Sequence, residues 1–215
     1  MKAGLFGGTF NPVHNGHIEI IQYVKNRYDF EKIFLIPSAT PPHKPDLNLA
    51  PAMDRYEMVK QSLKPHGNFF VSDKELNRNG PSFTIDTINE FKKEYGNNTV
   101  FSLLMGSDAF LDITTWKNKD KIFETIQIII MLRGQWENYN TIVSFIDENI
   151  SKGYIFNEQD NTFSHNKKQK IIICRVPKIN ISSTMIRERV KNNKSIKDLV
   201  PANIEKIIRT KELYK

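Results

Sequence analysis

The chain has 215 residues, of which 39% are hydrophobic and 26% charged, with a formal net charge of +7. This is enough apolar material to exclude a disordered chain, and the length suits a single α/β domain of ordinary size. One cysteine, Cys174, excludes a disulfide framework and a cysteine-based zinc site, and favours a reducing, cytoplasmic setting.

Short apolar runs alternate with longer amphipathic ones along the chain. Residues 3–6 read as a strand, and Ile18, Ile21, Val24 and Tyr28 recur at helical spacing over 16–28. A second strand over 32–36 stops at Pro37. Three prolines over 41–45 impose an extended loop. A helix follows over 52–63, with Met53, Tyr56 and Val59/Lys60 on one face, and then a strand over 68–72. After a turn at 79–82 come a helix over 84–95, a strand over 99–105, a largely helical stretch over 114–124 and a strand over 127–132. The stretch 135–169 yields one helix (141–148) and a polar, Asn-rich loop. A sixth strand covers 170–175, and helices over 183–192 and 201–211 close the chain.

This alternation predicts an α/β fold with a doubly wound parallel sheet and a small C-terminal helical segment. It is read as one domain over 1–215. The α/β core spans 1–180, with a variable segment at about 138–169, and the C-terminal helices span 181–215. No run reaches transmembrane length and the N-terminus lacks a signal-peptide pattern, so no membrane partner is expected. The basic charge attracts phosphates, nucleotides or nucleic acid. The lysines are scattered, however, and form no stripe interleaved with aromatics, which argues against a nucleic-acid partner.

Ligands of such sheets bind beyond the carboxyl ends of the strands. The turn after the first strand reads Gly7-Gly8-Thr9-Phe10-Asn11-Pro12-Val13-His14-Asn15-Gly16-His17. Glycines let backbone N–H groups approach oxyanions, and a helix start adds unsatisfied N–H groups and a positive dipole end. His14 and His17 add imidazole donors, and Thr9 a hydroxyl. The turn is neither a dinucleotide fingerprint nor a Walker A loop. A second segment, Ile181-Ser182-Ser183-Thr184-Met185-Ile186-Arg187, repeats the logic: hydroxyls at a helix start, with Arg187 one turn in. Both point to nucleotidyl transfer, with His17 as donor to the α-phosphate, His14 holding the phosphate chain and Thr9 donating to a substrate phosphate.

Together, His-x-Gly-His and ISSTxxR resemble the nucleotidyltransferase superfamily that also includes the class I aminoacyl-tRNA synthetases. With the Pro-Pro-His-Lys of residues 41–44, the Gly-Pro-Ser-Phe-Thr-Ile-Asp-Thr of residues 80–87, Gly106-Ser107-Asp108 and Thr115-Trp116-Lys117, the chain resembles the bacterial nicotinate mononucleotide adenylyltransferase family along most of its length. The resemblance implies a Rossmann-like fold and transfer of the adenylyl group of ATP to nicotinate mononucleotide. The products would be deamido-NAD and pyrophosphate, with Mg²⁺ bound on the ATP phosphates and no metal site made by the protein alone. It also implies an ATP side of Gly7, Gly8, Thr9, Phe10, His14, Gly16, His17, Gly106, Asp108, Arg133, Ser182, Ser183, Thr184 and Arg187. His14, His17 and Arg187 would be catalytic.

The mononucleotide side would comprise Thr9, Asn11, Ser38, Lys44, Thr84 and Trp116. Thr84 and its backbone would hold the nicotinate carboxylate, and Trp116 would stack on the pyridine ring. Ser38 stands where the family often has Asn. The 138–169 segment is longer and more polar than the family pattern, and the sequence leaves open a lid, an oligomer contact or a disordered loop. The competing readings are a nicotinamide mononucleotide adenylyltransferase, another HxGH nucleotidyltransferase and a non-catalytic regulator. A homo-oligomer is compatible with the sequence.

Overall fold

The computed structural model describes residues 1–40, 49–133 and 137–215, the side chains of 137 and 138 excepted. Contacts divide the chain into two compact units. Met1–Phe6 and Phe83–Lys178 form one, and Gly7–Ser82 and Ile179–Lys215 form the other.

In the first unit, strand β1 (Lys2–Gly8) contributes its residues up to Phe6. The others are β4 (Val100–Gly106), β5 (Gln127–Arg133), β6 (Ile155–Asn157), β7 (Thr162–Ser164) and β8 (Ile171–Val176). Their order is β1-β4-β5-β8-β7-β6. The first three pairings are parallel, with Leu5 opposite Leu103, Leu103 opposite Ile128 and Met131 opposite Cys174. The last two are antiparallel. In β5, Ile128, Ile129, Ile130, Met131 and Leu132 are all buried. Such a run, with no polar alternation, is what a strand covered on both faces requires. The helices of this unit are α3 (Thr84–Tyr95), α4 (Ser107–Leu111), α5 (Lys119–Thr125) and α6 (Glu137–Phe145), with a π turn over Ile146–Ile150.

The second unit takes up the end of β1 and continues through α1 (Asn15–Arg27), β2 (Lys32–Pro37), α2 (Ala52–Leu63), β3 (Phe69–Val71), α7 (Ser183–Lys191) and α8 (Ala202–Thr210). β2 and β3 pair in parallel, and the Ser38 N–H donates to Gly8 O at 3.0 Å. Helix α8 buries Ile204 and Ile208, one turn apart.

The α/β class and the six expected strands are present. Three expectations need correction. The segment 138–169, read as one helix and a polar loop, also supplies the antiparallel β6–β7 hairpin that extends the parallel sheet. In that hairpin Phe156 faces Phe163, ring centroids 4.6 Å apart. Asn157 and Asp160 accept turn N–H groups at 3.0 and 3.1 Å, so the Asn-rich stretch is a tight turn between strands. The helical stretch expected over 114–124 is broken. Ile113–Thr115 is a 3-10 turn, Trp116 is extended, and Asn118 takes φ 52°, a left-handed conformation that asparagine tolerates. Finally, α2 buries Arg55, Met58, Val59, Ser62 and Leu63, whereas Met53 is 64% exposed.

Candidate active site

The first motif closes on itself through its rings. Phe10 is buried at φ 48°, a strained conformation for a bulky residue and of the kind that gathers at functional sites. Gly8 fits closely beside it: a Cβ there would come within 3.0–3.3 Å of the Phe10 ring, which would have to shift. His14 ends the turn in extended conformation and is the N-cap of α1. Its imidazole stacks on that of His17, centroids 3.7 Å apart and planes inclined by 26°. Phe10 meets His17 edge-on at 5.2 Å. Gly16 is packed equally closely: a Cβ would approach His14 Nδ1 to 3.1 Å and Ile179 Cγ2 to 3.2 Å.

The His14 N–H donates to His17 Nδ1 at 3.3 Å. Nδ1 therefore carries a lone pair, and the ring proton of neutral His17 resides on Nε2. Nε2 is consequently a donor geometry for an anion.

The second motif lies in the same unit as this turn and is bonded to it. Ser183 Oγ donates to Pro12 O at 2.9 Å, and Arg187 Nη1 donates to Asn11 O at 2.9 Å. Ser182 caps α7 by accepting the Met185 N–H at 3.1 Å. Thr184 Oγ1 accepts from Arg187 Nη2 at 3.4 Å and keeps its own proton for another acceptor. The start of α1 is held as well, with Asn15 N donating to Leu199 O and Asn15 Nδ2 to Asp198 O. Two helix N-termini, two imidazoles and a guanidinium are thus tied to one short turn, a combination suited to a polyphosphate.

A residue the sequence reading missed underlies the turn. Arg55 is fully buried, and its guanidinium donates to four main-chain oxygens. Nε bonds Ala50 O (2.9 Å), Nη1 bonds Thr9 O (2.8 Å) and Ser38 O (2.7 Å), and Nη2 bonds Ala39 O (3.1 Å). Burial pushes its pKa below the ordinary guanidinium value, and nearby Tyr214 acts in the opposite sense. Asn11 Oδ1 accepts the Ala50 N–H at 3.1 Å, and Ser82 Oγ accepts that of Ala39 at 3.1 Å. Ser38 Oγ is buried with no hydrogen-bond partner among the described residues. Lys44 and its Pro-Pro-His-Lys loop lie outside the described residues.

The remaining expected residues belong to the other unit. Gly106 is the N-cap of α4, and a Cβ there would collide with the Asp108 carboxylate, which folds back over it. Arg133 ends β5, exposed. Thr84 opens α3, where the first N–H groups have no intrahelical acceptor. Trp116 is half-buried on the loop before α5. The next residue, Lys117, bonds Asp86 Oδ2 at 3.0 Å and lies 4.5 Å from the Phe83 ring centroid. This latch joins the Trp116 loop to the first turn of α3. It also neutralises the one acidic side chain at that helix start.

A cytidylyltransferase-like family model matches residues 5–189. A relative named as a probable nicotinate-nucleotide adenylyltransferase in Clostridium tetani is 34% identical over 214 residues, spanning all of this chain and 99% of the relative. One so named in Caldicellulosiruptor saccharolyticus is 36% identical, with both chains fully covered. The chain belongs to the nicotinate-nucleotide adenylyltransferase family. It is therefore a nucleotidyltransferase of NAD biosynthesis. Among solved structures, a Plasmodium falciparum nicotinic acid mononucleotide adenylyltransferase complexed with NaAD superposes with a TM-score of 0.74 at 20% identity. The match covers 99% of this chain and 97% of that one and shows the shared Rossmann-like fold.

Proposed function

We propose that this chain, acting as one nucleotidyltransferase domain, transfers the adenylyl group of ATP to nicotinate mononucleotide, giving deamido-NAD and pyrophosphate. The observation that carries the residue-level reading is the bonding of the ISSTxxR helix to the HxGH turn through Ser183 and Arg187. The mononucleotide's 5′-phosphate attacks the α-phosphorus of ATP in line, and pyrophosphate leaves; no enzyme nucleophile is needed. Catalysis then consists of positioning and of stabilising charge on the phosphoryl oxygens. His17 donates from Nε2 to the α-phosphate, its tautomer set by the His14 N–H. His14, Thr184, Arg187 and the α1 and α7 N-termini hold the phosphate chain, beside Gly7, Gly8, Phe10, Gly16, Ser182 and Ser183. Gly106, Asp108 and Arg133 serve the adenosine side.

Thr9, Asn11, Ser38 and Lys44 serve the mononucleotide phosphate, and Ser38 Oγ, buried and without a partner, is suited to donating to it. The start of α3, with Thr84, suits a carboxylate, and Trp116 offers its indole to the pyridine ring. The relatives' names and this helix start favour the nicotinate over the nicotinamide substrate. Among the described residues no cluster of three His, Cys, Asp or Glu side chains could cage a metal. Mg²⁺ fits this donor set as an ion carried on the nucleotide's own phosphate oxygens and water. When bound, it neutralises part of the triphosphate charge. No described helix is long and apolar enough to cross a membrane, and buried Cys174 is compatible with a reducing cytoplasm.

His17→Ala is the direct test. It should abolish pyrophosphate release while leaving the far-UV circular dichroism unchanged. Near-full activity with normal dichroism would overturn the mechanism.

A further inference from the structure

Arg55 is the largest fully buried side chain described, and nothing in the sequence patterns marks it. A guanidinium taken wholly out of water is costly unless its donors are used and its charge is compensated. Four of its five N–H groups donate to the main-chain oxygens of Thr9, Ser38, Ala39 and Ala50, at 2.7–3.1 Å. These acceptors are neutral, so they satisfy the hydrogen bonds without cancelling the charge. The position aggravates the cost, because Arg55 lies in the first turn of α2, at the positive end of the helix dipole.

The four oxygens share one property. Ser38 is assigned to the mononucleotide, and Thr9 to both substrates. Ala39 and Ala50 are described residues on either side of the segment that contains Lys44. One rigid fork therefore fixes the described backbone at Thr9, Ser38, Ala39 and Ala50. A lysine would supply the charge as a single point on a flexible stem and could not span these acceptors.

We infer that Arg55 is a positioning residue for the mononucleotide phosphate: its guanidinium sets the Thr9 and Ser38 main chain, and its uncompensated charge is balanced when the phosphate binds. This rests on the function proposed above. It predicts a larger effect on the mononucleotide than on ATP, since Thr9, assigned to both substrates, is the one group of the ATP side that Arg55 bonds among the described residues, and the assigned ATP groups on α1 and α7 are not bonded to it.

The test uses the full-length protein carrying Arg55→Lys and, separately, Arg55→Gln. Steady-state kinetics would be combined with calorimetric binding of nicotinate mononucleotide and thermal melts. Arg55→Lys should fold and raise the KM and Kd for the mononucleotide by about tenfold or more, with KM for ATP changed by less than about threefold. Arg55→Gln should weaken mononucleotide binding further, because it also lacks the charge. Equal effects on both substrates, or wild-type affinity for the mononucleotide in a folded variant, would overturn the inference. Failure of both variants to fold would also overturn it, since the fork would then be holding the fold rather than the site. Wild-type protein that neither binds nor turns over nicotinate mononucleotide would remove the functional reading itself, and this inference with it.

Discussion

Replacing Gly16 with alanine separates the stability of the first turn from its chemistry. Gly16 is the second residue of α1, so the change gains helix propensity of up to about 1 kcal/mol. Against this, the added Cβ would lie 3.1 Å from His14 Nδ1, 3.2 Å from His14 Cε1 and 3.2 Å from Ile179 Cγ2. Ordinary contacts begin at about 3.5 Å, so roughly 0.3–0.4 Å must be found. Overpacking of this kind costs about 1–3 kcal/mol, which leaves a net loss of about 0–2 kcal/mol. For a chain of this size that lowers Tm by less than about 8 °C. Ile179 is half-buried in an irregular segment and can give. The His14 ring is 3% exposed and stacked on His17, so its movement shifts the ring that carries the donor. A misplacement of about 1 Å costs about a hundredfold in rate, so a few tenths should cost about tenfold in kcat/KM. Pyrophosphate release kinetics beside a thermal melt measure both quantities. Turnover within about twofold of wild type, at an unchanged Tm, would refute the claim that the His14–His17 stack must sit where it does.

Three further changes probe separate parts of the account. Ser183→Ala removes the bond to Pro12 O and should lower stability by only about 1 kcal/mol in a chemical melt, while reducing kcat by more than that loss predicts. A proportionate loss would make Ser183 a structural tie alone. Trp116→Ala should raise KM for the mononucleotide more than KM for ATP; equal changes would make the half-buried indole a packing group. In the hairpin unit, His165 Nδ1 accepts from Lys167 N and Lys168 N at 2.9 and 3.1 Å, and its Nε2 lies 3.2 Å from Ser151 Oγ. His165→Ala should cost about 1–3 kcal/mol in a denaturant melt and leave kcat within about twofold; a large loss of kcat would tie this segment to the chemistry.

What the sequence made legible was what one short stretch could encode by itself. The β1–α1 turn is readable because glycines, a cap and two imidazoles lie within eleven residues. The β5 run is readable because a strand buried on both faces shows no alternation. The partnership of residues 181–187 with that turn was an expectation from resemblance, and the Ser183 and Arg187 bonds are its physical form. Arg55 was invisible because its role depends on four main-chain oxygens, and a backbone carbonyl leaves no mark on sequence. The same residue, with Ser62, hid the buried face of α2: an apolar count selects Met53, which is exposed. The β6 and β7 strands have three residues each, too few for a period to emerge, and only the Phe156–Phe163 pairing across the Asn157–Asp160 turn betrays them. The break at Trp116–Asn118 escaped notice because the left-handed Asn118 is a local backbone choice that helix propensity does not rule out.

The central claim is best tested by pyrophosphate release with ATP and Mg²⁺, using nicotinate mononucleotide, nicotinamide mononucleotide and phosphopantetheine in turn as acceptor. A strong preference for the nicotinate form is the predicted result. Preference for the amide would retain the phosphate chemistry but contradict the carboxylate role given to Thr84 and the start of α3. Release with phosphopantetheine alone, or with none of the three, would contradict the account as a whole.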